Sequence, residues 1–180
     1  MSKKLPKYLK WSEVEELARY PDSERDRAIL TTLAYEGLRV SELCNLAPDD
    51  IDHNGRWLKV VQGKGKKDRV IPLHPKVSDA IKWYVGEYFF DLWEGESVFP
   101  LSTGTVRYIV KKYAKLIGLP AWVHPHTLRH SIAIKMLEET RDLRAIQLFL
   151  GHASIQTTTI YLQMAPQDVK RRYLEAFPEA

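Results

Sequence analysis

Apolar side chains recur at intervals of three or four residues along most of the chain, a spacing that predicts a mainly helical protein. The segment Ser12-Glu13-Val14-Glu15 has the pattern of a capping box, in which side chains satisfy the free N–H groups at the start of a helix. Pro21 is expected to end this helix, and Gly37 to end the next one. The predicted helical segments are residues 12–20, a segment from Asp22 or Ser23 to Glu36, residues 41–46, 75–90 and 105–117, one that opens with Pro125, and one from Asp142 to Gly151.

Two segments have a different pattern. Residues 57–61 and 69–73 are rich in β-branched and other apolar side chains, which favour strands. The residues between them are basic and rich in glycine, so we predict a β-hairpin with a basic tip. The expected fold class is therefore mainly α with one small antiparallel β-sheet, an α+β arrangement.

The length of 180 residues suits one domain with small appendages. Residues 1–10 carry four lysines and are predicted to form a basic N-terminal arm. Residues 11–165 contain the elements of the predicted domain. In the remaining tail, residues 166–180, Gln167–Phe177 is a candidate amphipathic helix that could dock on a neighbouring protomer or fold back on its own domain.

The charge of the chain narrows the choice of partner. Lys and Arg number 27 against 23 Asp and Glu, which leaves a net charge of +4 and a pI near 9.1. This balance suits a polyanionic partner. The one cysteine, Cys44, has no partner for an internal disulfide, and no apolar run approaches the ~20 residues that a membrane span needs. We therefore expect a soluble protein of the cytoplasm, associated with the nucleoid and not with membranes.

Several cationic side chains, two histidines and a tyrosine occur in short motifs along the chain. His126 and Arg129 are three residues apart and share one face of the predicted helix. A set of this kind can gather around one phosphate, and it offers no ligand cluster for a metal. It points to chemistry on a nucleic-acid backbone. The candidate residues are Arg39, Lys64, His126, Arg129, His152 and Tyr161.

Cleavage of a phosphodiester without a metal requires charge stabilisation, an aligned nucleophile, a base and an acid. The planar guanidinium groups of Arg39 and Arg129 suit the non-bridging oxygens. Lys64 lies between two glycines and could protonate a leaving alkoxide if neighbouring arginines lower its pKa. Tyr161, as a phenol of pKa near ~10, needs cationic neighbours or a base in order to attack.

Each of these residues also has a plainer interpretation when it is taken alone. A single arginine is most often solvated or ion-paired, a Gly-Lys-Gly segment is most often a solvated turn, and Tyr161 is one of nine tyrosines. His126 and His130 are spaced like half of a zinc site, but no cluster completes the ligand shell. For His130 we favour a helix-face residue that hydrogen-bonds the backbone.

Taken together, the motifs resemble those of the tyrosine recombinases, the phage-integrase family that includes the Xer chromosome-dimer resolvases. The resemblance runs from about residue 10 to about residue 165. Tyr161 follows His152 by nine positions. The matching segments are Gly37-Leu38-Arg39-Val40-Ser41-Glu42-Leu43, Gly63-Lys64-Gly65-Lys66-Lys67-Asp68-Arg69, His126-Thr127-Leu128-Arg129-His130, Leu150-Gly151-His152 and Thr157-Thr158-Thr159-Ile160-Tyr161.

This resemblance implies the integrase catalytic-domain fold and a site-specific strand exchange on double-stranded DNA. Tyr161 would attack the scissile phosphate and form a 3′-phosphotyrosyl bond, with no need for ATP, a metal or another cofactor. A tetrameric synapse with other recombinase protomers is expected. The roles it implies are phosphate binding by Arg39 and Arg129, general acid catalysis by Lys64, a base or phosphate ligand at His126, and a hydrogen-bond donor at His152. Glu42 would support the first arginine, and Lys66, Lys67 and Arg69 are predicted to contact DNA.

One feature of the family is absent from the sequence. Members usually carry an N-terminal helical domain that grips the opposite face of the duplex. Here the first arginine motif already occurs at Arg39, and the residues before it are too few for such a domain. We expect either an isolated catalytic domain or a short member. Two other functions stay open: a related topoisomerase that relaxes DNA, and a DNA-binding or regulatory fragment without turnover.

Overall fold

The computed structural model describes residues 6–61, 68–88, 96–152 and 158–161. Within them the chain forms seven α-helices and one three-stranded sheet, which confirms the predicted fold class. The helices are α1 (Trp11–Arg19), α2 (Glu24–Glu36), α3 (Val40–Cys44), α4 (Pro75–Tyr88), α5 (Thr103–Leu116), α6 (Pro125–Thr140) and α7 (Leu143–Leu150), and the strands are β1 (Ile51–Asp52), β2 (Trp57–Val60) and β3 (Arg69–Pro72), with a 3-10 turn at Pro48–Asp50.

The sheet contains the predicted hairpin and one additional strand. Strands β2 and β3 are antiparallel, with Leu58 opposite Ile71 and Val60 opposite Arg69. Strand β1 pairs with the other edge of β2, giving the order β1-β2-β3. With only two residues, β1 is too short to show the alternating pattern that identifies a strand from sequence.

Helix α2 forms the centre of the domain. It is buried over most of its length and packs against α1, α4 and α6. Ser23 caps its first turn, and Gly37 ends it in the left-handed conformation with φ of +55°, as the sequence predicts. Because α2 ends in the interior, the two residues that follow it toward α3, Gly37 and Leu38, are buried, and Gly37 lies next to α6.

Three helices begin earlier than the sequence predicts. Helix α5 begins at Thr103, two residues before the predicted start, because Ser102 caps it, and α1 and α3 share a different cause. Helix α1 begins at Trp11, because the Glu13 carboxylate accepts a hydrogen bond from the Lys10 N–H at 2.7 Å. The same arrangement starts α3, where Glu42 accepts from the Arg39 N–H at 2.8 Å. The predicted starts at Ser12 and Ser41 are therefore wrong, because a glutamate in the first turn caps each helix from inside and needs no serine in front of it.

The remaining predicted boundaries lie within two residues of those in the structure or fall outside the described residues. Pro125 occupies the first position of α6, and Asp142 caps α7, which Gly151 ends. The beginning of the basic arm, the end of the 75–90 helix, the hairpin tip and the candidate helix Gln167–Phe177 lie outside the described residues. Among the residues that the structure describes, no helix has the length and apolar character to cross a membrane.

A substitution at Gly37 tests how tightly the end of α2 is packed. An added Cβ would lie 3.0 Å from Ile132 and 3.1 Å from Leu150, on a backbone that L-residues rarely adopt. Gly37→Ala is therefore expected to reduce the free energy of unfolding by about 2–4 kcal/mol in urea denaturation. Gly118→Ala is the matched control, since Gly118 has φ of +74° with nothing near its Cβ; it should lose only about 1 kcal/mol. Equal losses would show that the contacts around Gly37 are unimportant.

Candidate active site

A single buried carboxylate, that of Glu42, lies at the centre of the candidate site. Its Oε1 accepts hydrogen bonds from Arg39 Nη1 at 2.5 Å and Arg69 Nη1 at 3.0 Å. Its Oε2 accepts from Arg69 Nη2 at 2.9 Å and from the Arg39 backbone N–H. A third guanidinium lies close, with Arg129 Nη1 4.0 Å from Oε2. One negative charge therefore faces three positive charges.

Arg129 is held in place by the ends of two helices. It is 4% exposed, and its Nη1 and Nη2 donate to the carbonyl oxygens of Gly37 and Leu150. These carbonyls lie at the C-terminal ends of α2 and α7, where the helix dipole is negative. A buried cation on α6 is thereby stabilised without a carboxylate of its own.

Arg69 connects the sheet to the same centre. Besides its two bonds to Glu42, its Nε donates to the Phe149 carbonyl oxygen at 2.8 Å, and only 8% of its side chain is exposed. The predicted contact of Arg69 with DNA is not what this geometry favours, because the guanidinium is buried against protein oxygens. Its position instead ties β3 to α3 and to the end of α7.

The charge balance of this cluster favours an additional anion. The burial of Glu42 alone would raise its pKa, but the hydrogen bonds of Arg69 and the Arg39 backbone, together with the charges of both arginines, lower it to about 2. Burial and then the nearby charge of Arg39 lower the pKa of Arg129 to about 10. Three guanidinium groups and one ionised carboxylate leave a net charge of +2, and 29% of the Arg39 side chain remains exposed to solvent. An exposed guanidinium can bind an oxyanion through two N–H groups.

A second group of side chains surrounds the predicted nucleophile. Tyr161 is 1% exposed, and its hydroxyl lies 3.1 Å from His130 Nδ1. The ring of His152 stacks near the phenol, with 6.3 Å between centroids and 20° between planes. His152 is itself oriented, because its Nδ1 contacts the Thr158 hydroxyl at 3.0 Å and its carbonyl accepts from Gln147 at 3.1 Å.

The electrostatics of this group keep all three rings uncharged. Burial raises the pKa of Tyr161 to about 12, although the charge of Arg129 opposes the shift. Burial and then neighbouring cationic groups lower the pKa of His130 and of His152 to about 4 each. At neutral pH each histidine therefore offers one N–H donor and one nitrogen acceptor.

The two groups adjoin each other at the turn after α7. Arg39 Nη2 lies 3.5 Å from the Gly151 carbonyl oxygen, Arg129 binds the carbonyl before it, and His152 follows. The structure thus brings together six of the sequence-predicted residues, Arg39, Glu42, Arg69, Arg129, His152 and Tyr161.

Of the four further predicted residues, His126 lies at the edge of the site, close enough for its charge to affect His130, and the other three lie outside the described residues. His126 is exposed at the start of α6, with its ring 6.0 Å from that of His124. Partial desolvation, His124 and Arg129 lower the pKa of His126. Lys64, Lys66 and Lys67 lie outside the described residues.

Two contributions were missed from sequence. His130 does not turn to the backbone, as we had favoured, because its ring contacts the Tyr161 hydroxyl. Arg69 turns inward to Glu42. Both contacts join residues at least 27 positions apart, and the spacing of residues within a short segment cannot predict such pairs.

The site thus consists of an inward-facing arginine cluster and a tyrosine beside two histidines. Residues 7–168 match the model of the phage integrase family. The chain belongs to that family. Its length is shorter than that of the curated relatives it matches, of which it spans about three fifths.

The similar proteins agree in name. The chain is 41% identical to the tyrosine recombinase XerA of Thermococcus kodakarensis, over 93% of this chain and 61% of the relative. It is 36% identical to a tyrosine recombinase of Pseudothermotoga lettingae, over 92% of this chain and 59% of the relative. The crystal structure of XerA recombinase has a TM-score of 0.86 at 31% identity and covers 100% of this chain and 67% of that one. XerH site-specific recombinase, solved in a complex with palindromic difH substrate after cleavage, shares the fold with a TM-score of 0.78 at 24% identity, covering 95% of this chain and 53% of that one.

The contribution of the buried carboxylate to stability is testable. Because folding lowers the pKa of Glu42 from 4.5 to about 2, its ionisation stabilises the folded state above the unfolded pKa, and this stability is lost as the pH falls toward 2. Glu42→Gln is expected to reduce the free energy of unfolding at pH 7 by about 3 kcal/mol and to flatten its dependence on pH below about 5.

Glu139→Gln serves as the matched control, since Glu139 pairs with Lys135 in solvent. It should change stability by less than about 0.5 kcal/mol. Urea denaturation at several pH values measures both variants. A Glu42→Gln protein as stable as its parent across this range would contradict the role of the carboxylate.

Proposed function

We propose that this chain is the catalytic part of a site-specific DNA recombinase that cleaves and rejoins DNA strands through a 3′-phosphotyrosyl intermediate. The observation that carries the proposal is the buried arginine cluster with a net charge of +2 directly beside a tyrosine and two neutral histidines. The names of the XerA relatives point in the same direction.

The proposed reaction assigns a task to each group. Arg39 and Arg129 bind the non-bridging oxygens of the scissile phosphate, where charge builds up in the transition state. Tyr161 attacks the phosphorus and releases a 5′-hydroxyl. His152, neutral and fixed through Nδ1, can donate from Nε2 to a phosphate oxygen. Lys64 is the proposed general acid, and His126 a phosphate ligand or a base.

Energy is conserved in this scheme because the phosphotyrosyl bond replaces a phosphodiester bond. The released 5′-hydroxyl of a partner strand can then attack the intermediate and restore a phosphodiester. No ATP is needed, and charge stabilisation by arginine takes the place that a metal ion has in other phosphoryl-transfer sites.

The burial of the nucleophile favours activity only in a DNA complex. A phenol that is 1% exposed cannot meet a phosphate in the duplex, so Tyr161 must become accessible when DNA docks. Its pKa of about 12 keeps it protonated before then. Unproductive attack on other phosphates is thereby suppressed.

The proposed partners are double-stranded DNA and further recombinase protomers in a tetrameric synapse. The net charge of +4 supports binding to a polyanion. The fold neighbours include XerH bound to difH substrate and the Tn1549 transposon integrase in complex with transposon right end DNA. We place the protein with the DNA of the nucleoid in the cytoplasm.

Covalent capture tests the proposed chemistry. In a duplex nicked just 3′ of the scissile phosphate, cleavage releases a short fragment that carries the new 5′-hydroxyl. Because this fragment diffuses away, the strand cannot be rejoined, and the protein–DNA bond accumulates and is visible on a denaturing gel. Tyr161→Phe is expected to abolish the adduct, since the phenylalanine has no nucleophilic oxygen. Tyr108→Phe, at an exposed tyrosine of α5, is the matched control and should form it normally. Binding of the duplex without any adduct at saturating wild-type protein would favour a binding module instead.

The two arginines should act mainly on the transition state. Arg39→Ala and Arg129→Lys are each expected to slow single-turnover cleavage by about 10²–10³-fold while changing duplex affinity only a few-fold. Lysine at position 129 keeps the charge but cannot form the fork that binds two oxygens. Arg25→Ala, which removes a partly exposed arginine paired with Asp26, controls for the loss of a positive charge. Normal cleavage by either active-site variant would remove that arginine from the proposed mechanism.

A further inference from the structure

His130 is a partly buried titratable group that the reaction described above does not use. It lies on α6, one residue after Arg129, and its Nδ1 is 3.1 Å from the Tyr161 hydroxyl. The two rings are 5.9 Å apart between centroids and inclined by 58°, so they meet through the nitrogen and the hydroxyl instead of stacking face to face. A nitrogen acceptor at this distance from a nucleophile has the geometry of a general base.

We propose that His130 accepts the proton of Tyr161 while the phenolic oxygen attacks phosphorus. This inference rests on the proposed function, since it assigns a residue to the strand cleavage described there. The hydroxyl donates to Nδ1 when the ring carries its own proton on Nε2, and this is the tautomer that the proposed step uses.

The other histidines of the site are placed for different contacts. His152 uses its Nδ1 on the Thr158 hydroxyl and lies with its ring stacked near the phenol. His126 is exposed at the start of α6 beside His124. His130 is the histidine whose ring nitrogen reaches the nucleophile, although the family motif draws attention to His126.

The charges around His130 make this proton transfer depend on the substrate. Burial and then the nearby His126 and Arg129 hold its pKa down to about 4, while the pKa of Tyr161 is about 12. In the free protein the transfer is therefore strongly unfavourable. A phosphate bound to Arg39 and Arg129 brings negative charge that offsets the arginines, so an imidazolium at position 130 becomes less costly when DNA is present.

The step balances in atoms and charge. The bond between Tyr161 Oη and phosphorus forms, and the bond between phosphorus and the 5′-oxygen breaks. The phenolic proton moves to His130 Nδ1, and the leaving 5′-oxygen takes a proton from the general acid, for which Lys64 is proposed. During rejoining, the His130 proton returns to the departing Tyr161 oxygen.

Two variants of His130 and one control separate a general base from a simple hydrogen-bond acceptor. His130→Leu removes the acceptor, whereas His130→Asn keeps an acceptor oxygen near the position of Nδ1 but cannot take up the proton. Both are expected to slow single-turnover adduct formation on the nicked duplex by at least about 100-fold. The matched control is His53→Leu, because His53 Nδ1 makes a similar contact, 2.8 Å from the Ser78 hydroxyl. It should cleave within about two-fold of the parent rate, whereas a loss like that of His130→Leu would point to a general effect on the fold and overturn the proposal.

The acidity of the nucleophile provides the second readout. Replacing Tyr161 by difluorotyrosine, a more acidic phenol, reduces the need for a base. The protein with His130 should therefore form the adduct faster than His130→Asn by a smaller factor when the nucleophile is difluorotyrosine than when it is tyrosine. A ratio of the same size for both nucleophiles would show that His130 only shapes the site, and it would overturn the proposal.

Failure of this inference is distinguishable from failure of the proposed function. If wild-type protein forms no adduct, the recombinase reaction itself is refuted, and the role of His130 with it. If wild-type protein forms the adduct and His130→Asn does so at the same rate, only the base assignment is overturned. Duplex binding and thermal melting of each variant establish that it is folded, and His130→Asn decides the question if His130→Leu does not fold.

Discussion

The interaction on which the rest of the site depends is the bonding of one buried carboxylate, Glu42, to arginines from separate parts of the chain. Arg39 precedes α3, Arg69 begins β3, and Arg129 lies on α6. Without the carboxylate, three guanidinium groups would repel each other where water cannot screen them. With it, they are held together and still leave positive charge for an anion. Stability and anion affinity therefore come from the same contact.

The helix ends complete this arrangement. Arg129 receives its support from the carbonyl oxygens of Gly37 and Leu150, each at the end of a helix. Carbonyl oxygens carry only partial negative charge, so they neutralise the charge of Arg129 less than a second carboxylate would. The left-handed glycines at 37 and 151 end both helices at the point where these carbonyls must converge. The same two helix ends therefore determine both the packing of the core and the position of the Arg129 charge.

Beside this charged centre, the proposed nucleophile is kept protonated and buried. Tyr161 is buried and protonated, and His130 and His152 are neutral. A bound phosphate would change all of these conditions together, since it supplies the negative charge that the cluster lacks. In the proposed mechanism, reactivity therefore depends on the bound substrate.

Much of this could be predicted from the sequence, and the remainder had a physical reason to be missed. Helix α2, its end at Gly37 and the β2–β3 hairpin follow from local patterns, and the arginine, histidine and tyrosine motifs identified residues that the fold gathers. The starts of α1 and α3 each lie one residue before the predicted start, because Glu13 and Glu42 cap from inside the first turn. The inward turn of Arg69 and the contact of His130 with Tyr161 depend on tertiary packing, which spacing along the chain does not encode.

The central claim is that Arg39 and Arg129 are present to balance the negative charge of a scissile phosphate. Its most direct test replaces that phosphate in the nicked duplex by a methylphosphonate, in which an uncharged methyl group takes the place of a charged oxygen. The account predicts that the loss of cleavage caused by Arg39→Ala or Arg129→Lys becomes much smaller on the neutral linkage than on the phosphate. Losses of the same size on both linkages would contradict it.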